Sequence, residues 1–241
     1  MSLLALGAAH HGTVNANIGV LGRPLPMIFA MAALSMIPFA LVLVTSFVRI
    51  AVVLSILKGA IGTPQVPPNQ VVTGLALLLT LYVMAPTGER IYKAIEPIMN
   101  QGAGSDLVSG ASVAALEAAA LRAKEPMRDF LPKFSSPRDR VLFFNMALRM
   151  RTPTERVGVT DRDMLIVVPA FLTSELRRAF EVGFLLFVPF LVVDMVIANV
   201  LLALGMHMLS PTTVSLPFKL LLFVLADGWQ LVLRGLVESY V

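Results

Sequence analysis

A 241-residue chain that is 57% AVILMFWYC and 14% charged, with a mean hydropathy of +0.82, has too little polar surface for a soluble globule, which carries roughly 25% charged residues. It contains no cysteine, which excludes disulfides, thiolate metal sites and a Cys nucleophile, and its three histidines, His10, His11 and His207, are too few for a His-rich metal cage. The net charge of +4 comes without a Lys/Arg run, so nucleic-acid binding has no support.

Of the 19 Lys/Arg and 15 Asp/Glu, 22 fall between Glu89 and Asp163. Residues 24–48 and 59–88 carry no charge, and between Val182 and Phe218 only Asp194 does. This distribution divides the chain into a tail (1–24), a first hydrophobic helical hairpin (25–86), a polar and partly helical middle (87–163) and a second hydrophobic hairpin (164–241). The tail has no positive residue before Arg23, so it does not read as a cleavable secretion signal.

The first apolar segment, Pro26 to Leu57, is long enough to cross about 30 Å of hydrocarbon at about 1.5 Å per residue. At about 100° per residue, Ser35, Pro38, Thr45, Ser46 and Arg49 share one sector, so one face is polar and must meet another helix or a wet cavity. Pro38 predicts a kink. Gly59 to Pro68 is a Gly/Pro-dense turn. The second apolar segment runs from Asn69 to Ala85 and is predicted to stop at Pro86, which leaves it short for a bilayer.

In the middle, Ala111 to Arg122 is helical by propensity. Ser136-Pro137-Arg138-Asp139 opens another helix, with Ser136 as N-cap, Pro137 in the first turn and Asp139 three residues on. That helix is expected to turn Val141, Phe144 and Leu148 to one face, with Arg138 and Asp139 off it. Phe143 and Phe144 read as core residues, with a pore-facing role as the sharper alternative. Arg151-Thr152-Pro153 ends it, and Thr154 to Asp163 reads as a charged loop.

The third apolar segment, Met164 to Met206, is too long for one straight span, and Pro169 and Pro189 are expected to divide it. Glu175, Arg177, Arg178 and Glu181 cluster between the prolines at spacings that allow neutralisation along the helix. The fourth, Pro217 to Val237, reads as one helix with Lys219, Asp227, Gln230 and Arg234 along one side. Four spans would place both termini on the side of the large loop and the Lys58 and Gly205–Pro211 turns in the cytoplasm. The loop holds 12 Lys/Arg against 10 Asp/Glu, so the positive-inside signal is poor.

Several side chains have two readings. Glu175 and Lys219 are either charges reaching out from helix ends or a pair buried between subunits, with Arg177 or Arg178 also eligible as partner. Asp194 either hydrogen-bonds Ser, Thr or Asn on a neighbouring helix or relays protons, and no second acid lies nearby in sequence for the latter. Met206-His207-Met208 is either a chance cluster among 13 Met or a functional turn. No Ser/His/Asp constellation supports catalysis; for a secondary transporter the Pro-interrupted third segment is compatible, but the first half has no matching charge cluster.

The strings PAFLTSELRRAFEVGFLLFVPFLVVDMVIANVLLALGM (169–206), SLPFKLLLFVLADGWQLVL (215–233), TSFVRIAVVLSILKGAIG (45–62), VPPNQ (66–70) and VMAP (83–86) resemble the FliP/SctR (YscR/HrcR) family, in the same order and over nearly all of 25–240. Residues 95–160 match mainly in position and character. The resemblance implies an all-α core export-gate subunit of bacterial type III secretion, not an enzyme and without cofactor or metal. It implies a pentamer forming a closed conduit for unfolded secreted proteins, with FliQ/SctS-type and FliR/SctT-type small subunits and a larger FlhA/SctV-type protein. It also implies an inner-membrane complex whose hairpins bend and rise toward the periplasmic side, with the middle segment there. In that setting Met206, His207 and Met208 would form the gate. Arg49, Glu175, Arg177, Arg178, Asp194, Lys219, Asp227 and Arg234 would make polar contacts between subunits. His207 departs from an all-Met turn. The GLVESYV terminus and the absence of a signal sequence resemble the injectisome branch, with the flagellar FliP type as the alternative.

Overall fold

A computed structural model describes residues 31–32, 35–36, 38–39, 41–63, 66–102 and 110–241. The tail 1–24, the start of the first apolar segment and Asp106 lie outside the described residues. Every regular element among the described residues is an α-helix. Helical turns up to Val44 give way at Thr45–Ser46 to α1 (Phe47–Ile61), so the predicted Pro26–Leu57 helix is interrupted at its polar Thr-Ser pair. Then follow α2 (Asn69–Gly102), α3 (Gly110–Phe134), α4 (Pro137–Met150), α5 (Met164–Ala203), α6 (Pro211–Leu225) and α7 (Gly228–Glu238).

Prolines are tolerated more widely than the sequence suggests. α2 continues through Pro86 and Pro97, α3 through Pro126 and Pro132, and α5 through Pro169 and Pro189. The ring's fixed φ is compatible with a helix; the local costs are one missing N–H and crowding against the carbonyl four residues back. In long helices packed against neighbours, those costs do not end the element. The reverse holds for the fourth apolar segment. It is two helices, α6 and α7, bent by 60° at Ala226–Asp227, a break that no proline marks. Asp227 adopts a left-handed conformation (φ 50°), a region that Asp tolerates better than most residues. Gly228 lies under the Phe223 ring so closely that a Cβ there would sit inside it.

Two cores hold the helices together. In one, Ile50, Val53, Leu54 and Leu57 of α1 pack with Ala76 and Leu79 of α2, Ala179 and Phe190 of α5, Phe223 of α6, and Val232 and Leu236 of α7. Gly228, Val232 and Leu236 recur every four residues, the spacing that puts one stripe of a helix inside. In the other core, Phe130, Leu131 and Phe134 of α3 meet Val167 and Phe171 of α5 and Tyr240. α5 belongs to both, and Gly183 lets Ile56 of α1 come against its backbone.

Among the described residues, Asn69–Ile98 and Met164–Ala203 are long and apolar enough to cross a membrane, and the bent α6–α7 pair would be a third such element. The 40 residues of α5 extend about 60 Å, twice the hydrocarbon thickness. From Val182 onward Asp194 is its one charge, Met164–Ser174 carries none, and the other four charges are Glu175, Arg177, Arg178 and Glu181, so residues 175–181 have the composition of a segment outside the hydrocarbon.

Candidate functional site

The buried charged side chains, Arg49, Asp139, Glu175 and Lys219, gather around α5. Glu175 is fully buried and accepts from Arg49 of α1, itself 2% exposed. Its other carboxylate oxygen accepts from the Tyr240 hydroxyl. Arg178 stands 3.5 Å from Glu175 and donates to the carbonyl of Phe134 at 2.9 Å. The remaining terminal nitrogen of Arg49 donates to Ser239 Oγ at 2.9 Å, and its guanidinium lies 4.2 Å from the Tyr240 ring centroid. Burial, and then the neighbouring Glu175 charge, raise the pKa of the Tyr240 phenol, so it stays protonated and donates.

One residue before Glu175, Ser174 joins α5 to the start of α4. Its hydroxyl donates to Asp139 Oδ2 at 2.7 Å and accepts the Ser136 N–H at 2.7 Å, while Arg177 donates to Asp139 Oδ1 at 2.7 Å. This corrects the reading of the α4 start. Ser136 makes no side-chain cap, and Asp139, expected off the packed face, is 1% exposed. Val141 is exposed, while Phe143, Phe144 and Leu148 are only half-buried. The drive to pair Asp139 with Ser174 and Arg177 sets the orientation of α4, and a buried carboxylate requires such partners.

Farther along α5, Asp194 meets Lys219 of α6 at 2.6 Å and accepts from Ser215 Oγ at 2.5 Å. Lys219 also donates to the Ala60 carbonyl at 3.2 Å, in the last turn of α1, where a cation complements the helix dipole. Within the chain, therefore, Glu175 and Lys219 do not pair. Each has another partner: Arg49–Glu175 joins the two hairpins, and Asp194–Lys219 lies within the second, which Lys219 ties to the first through the Ala60 carbonyl. The Ser215 bond is the kind of contact expected for Asp194 from the neighbouring helix.

The predicted stripe on the fourth segment is dispersed by the α6–α7 bend. Lys219 is buried, whereas Asp227 and Gln230 are exposed, and exposed Arg234 pairs with Glu238 at 2.6 Å. Met206, His207 and Met208 lie in an exposed turn after α5, entered through Gly205 at φ 71°. Met208 is 99% exposed. Sequence reasoning missed Tyr240, Ser174 and the burial of Asp139. Asp139 and Ser174 are 35 residues apart, Tyr240 and Glu175 65 apart, and no local pattern links them. No cluster of His, Asp or Glu among the described residues could hold a metal ion.

These features define an all-α membrane protein whose buried charges join its own helices. The chain belongs to the FliP family: the family model matches residues 30–236. It is 44% identical over 207 residues to a "Pathogenicity-related ORF2" of Xanthomonas campestris pv. glycines, covering 86% of this chain and 92% of that one. It is 40% identical over 214 residues to the "Hypersensitivity response secretion protein HrcR" of Ralstonia nicotianae, covering 89% and 96%. It is 42% identical over 233 residues to the "Flagellar biosynthetic protein FliP" of Pectobacterium carotovorum subsp. carotovorum, covering 92% and 85%. Membership makes the chain a membrane component of a type III secretion or flagellar export apparatus, not an enzyme.

Proposed function

We propose that this protein is a core export-gate subunit of the injectisome branch, assembling as a ring or helical pentamer around a closed conduit for unfolded secreted proteins. The observation that carries the reading is the α5–α6 hairpin. Its Glu175, Asp194 and Lys219 are paired inward, its outer faces are exposed Phe, Leu, Val and Met, and its tip is an exposed Met206-His207-Met208 turn. Apolar faces of that extent on a water-poor chain need lipid or protein against them. Copies arranged around an axis would bring the tips together, and unbranched thioethers can seal a gap while yielding to a passing chain. Small FliQ/SctS-type and FliR/SctT-type subunits and a larger FlhA/SctV-type protein are the partners, and the complex sits in the bacterial inner membrane with the middle segment on the periplasmic side. Arg177, Asp227 and Arg234, each with exposed area, are the polar residues best placed for contacts between subunits; Arg49, Glu175, Asp194 and Lys219 act first within the subunit.

Replacing Met206 and Met208 with Ala should leave the complex assembled but leaky to small solutes in cells expressing the whole apparatus. An unchanged leak with assembly confirmed moves the gate elsewhere. The branch is tested by complementation: an injectisome-null strain should regain secretion and a flagellar-null strain should not regain motility. The opposite outcome assigns the chain to the flagellar branch, whose Pectobacterium member is 42% identical against 40% for HrcR.

A further inference from the structure

The polar ring around Glu175 includes a segment that follows the last helix. Tyr240 touches three helices that are far apart in sequence. Its hydroxyl donates to Glu175 of α5, its ring lies under Arg49 of α1, and it packs against Phe134 of α3 at 5.0 Å between centroids. Ser239 takes the second terminal nitrogen of Arg49. Tyr240 and Ser239 thus add hydrogen bonds to a buried charge pair, in which the Arg49 Nε has no partner.

At its other end, α7 begins at the left-handed Asp227 corner. Between corner and ring it has 11 residues, of which only Gly228, Val232 and Leu236 are buried. A helix that short is not stable by itself in water and depends on what holds it. The rest of the bundle does not depend on it to the same degree. α1 and α5 pack through Ile50, Val53, Leu57 and Ala179, α3 and α5 through Leu131, Val167 and Phe171, and α4 is tied to α5 through Asp139 and Ser174.

We propose that Tyr240 is a positioning residue that latches α7 onto the Arg49–Glu175 pair, with Asp227 as the hinge, so that α7 is an arm able to leave the bundle while α1, α3, α4 and α5 stay packed. The inference stands on the intrachain geometry and does not require the export reading. Releasing the latch uncovers the Phe134 ring and leaves one Glu175 oxygen without its donor, so docked α7 is the favoured state and the open arm a minor one.

The chain carries its own reporter. Trp229, its only tryptophan, is on α7, stands edge-on to Phe223 at 5.3 Å, and lines an apolar slot with Leu57, Pro67 and Leu75. In full-length protein purified in detergent, Tyr240→Ala should raise the acrylamide quenching constant of Trp229 about twofold or more, with far-UV circular dichroism losing no more helix than the 11 residues of α7, as expected for local opening. Tyr240→Phe keeps the ring contacts and loses only the hydroxyl, and should give a smaller increase. Tyr82→Ala, at an exposed site on α2, should change neither signal. Unchanged quenching in Tyr240→Ala overturns the latch. So does a rise in quenching matched by a loss of helicity beyond the 11 residues of α7, which would make Tyr240 a general core residue, or an equal rise in Tyr82→Ala.

Discussion

Arg49→Met is the perturbation that most directly tests the packing of the two hairpins. Arg49 and Glu175 are 2% and 0% exposed and hold each other. Removing the cation leaves a buried carboxylate with the Tyr240 hydroxyl and with Arg178, which is 3.5 Å away and has 39% of its side chain exposed. Breaking a buried pair from one side costs about 3–5 kcal/mol, because a charge is left without compensation. Arg178 can move in only at the loss of its bond to the Phe134 carbonyl, so the lower part of that range, about 3 kcal/mol, is expected. For a chain of this length that corresponds to a fall in melting temperature of about 6–12 °C. Adding Glu175→Gln to Arg49→Met removes the stranded charge, while Tyr240 can still donate to the amide oxygen. The double variant should therefore be more stable than Arg49→Met alone. The assay is thermal or SDS-induced unfolding of the detergent-purified protein followed by circular dichroism, analysed as a double-mutant cycle. Two single substitutions that each cost under about 1 kcal/mol and add without coupling would refute a dry Arg49–Glu175 pair.

Gly183→Ala places a Cβ against the Ile56 side chain, with Cγ2 at 3.1 Å and Cβ at 3.2 Å and Cδ1 closer still, so it should destabilise by about 1–3 kcal/mol; Ile56→Val should recover part of this in the same unfolding assay, and a neutral Gly183→Ala would show that α1 and α5 do not approach so closely. Asp194→Asn strands Lys219, whose side chain is 7% exposed, whereas Lys219→Met strands Asp194, which is 28% exposed and keeps Ser215. The first should cost more than the second in melting temperature, and the reverse order would refute the pair as described. Glu155 accepts from the Thr152 N–H and hydroxyl, which lower its pKa below the ordinary 4.5. Its contribution to the turn is present above that value and is lost as pH falls through the lowered folded pKa. Protection of the Thr152 amide from hydrogen exchange, normalised for intrinsic rate, should fall over that range, and Glu155→Gln should reduce the protection at neutral pH.

Composition and charge placement were enough to read a helical membrane chain with a polar middle, because the solvent a segment meets must match its side chains along every turn. The helix starts at Asn69, Pro137 and Met164 and the stop near Arg151 were legible for the same local reasons. The family was legible too, since the strings from 169 to 206 and 215 to 233 are long and ordered. Helix continuity and partner choice were not. Whether Pro86 or Pro189 ends a helix depends on packing energy that local sequence does not contain, and the break at Asp227 depends on how closely Phe223 lies over Gly228. The charges most firmly buried, Glu175 and Asp139, were visible as residue types. Only the fold could assign them Arg49, Tyr240, Ser174 and Arg177, because a buried charge takes whichever donor the tertiary structure delivers, and these donors arrive from as many as 126 residues away. The sequence alone determined what kind of environment each segment requires. The tertiary structure decided which charges meet, since pairing depends on distances between helices and not on the order of residues along them.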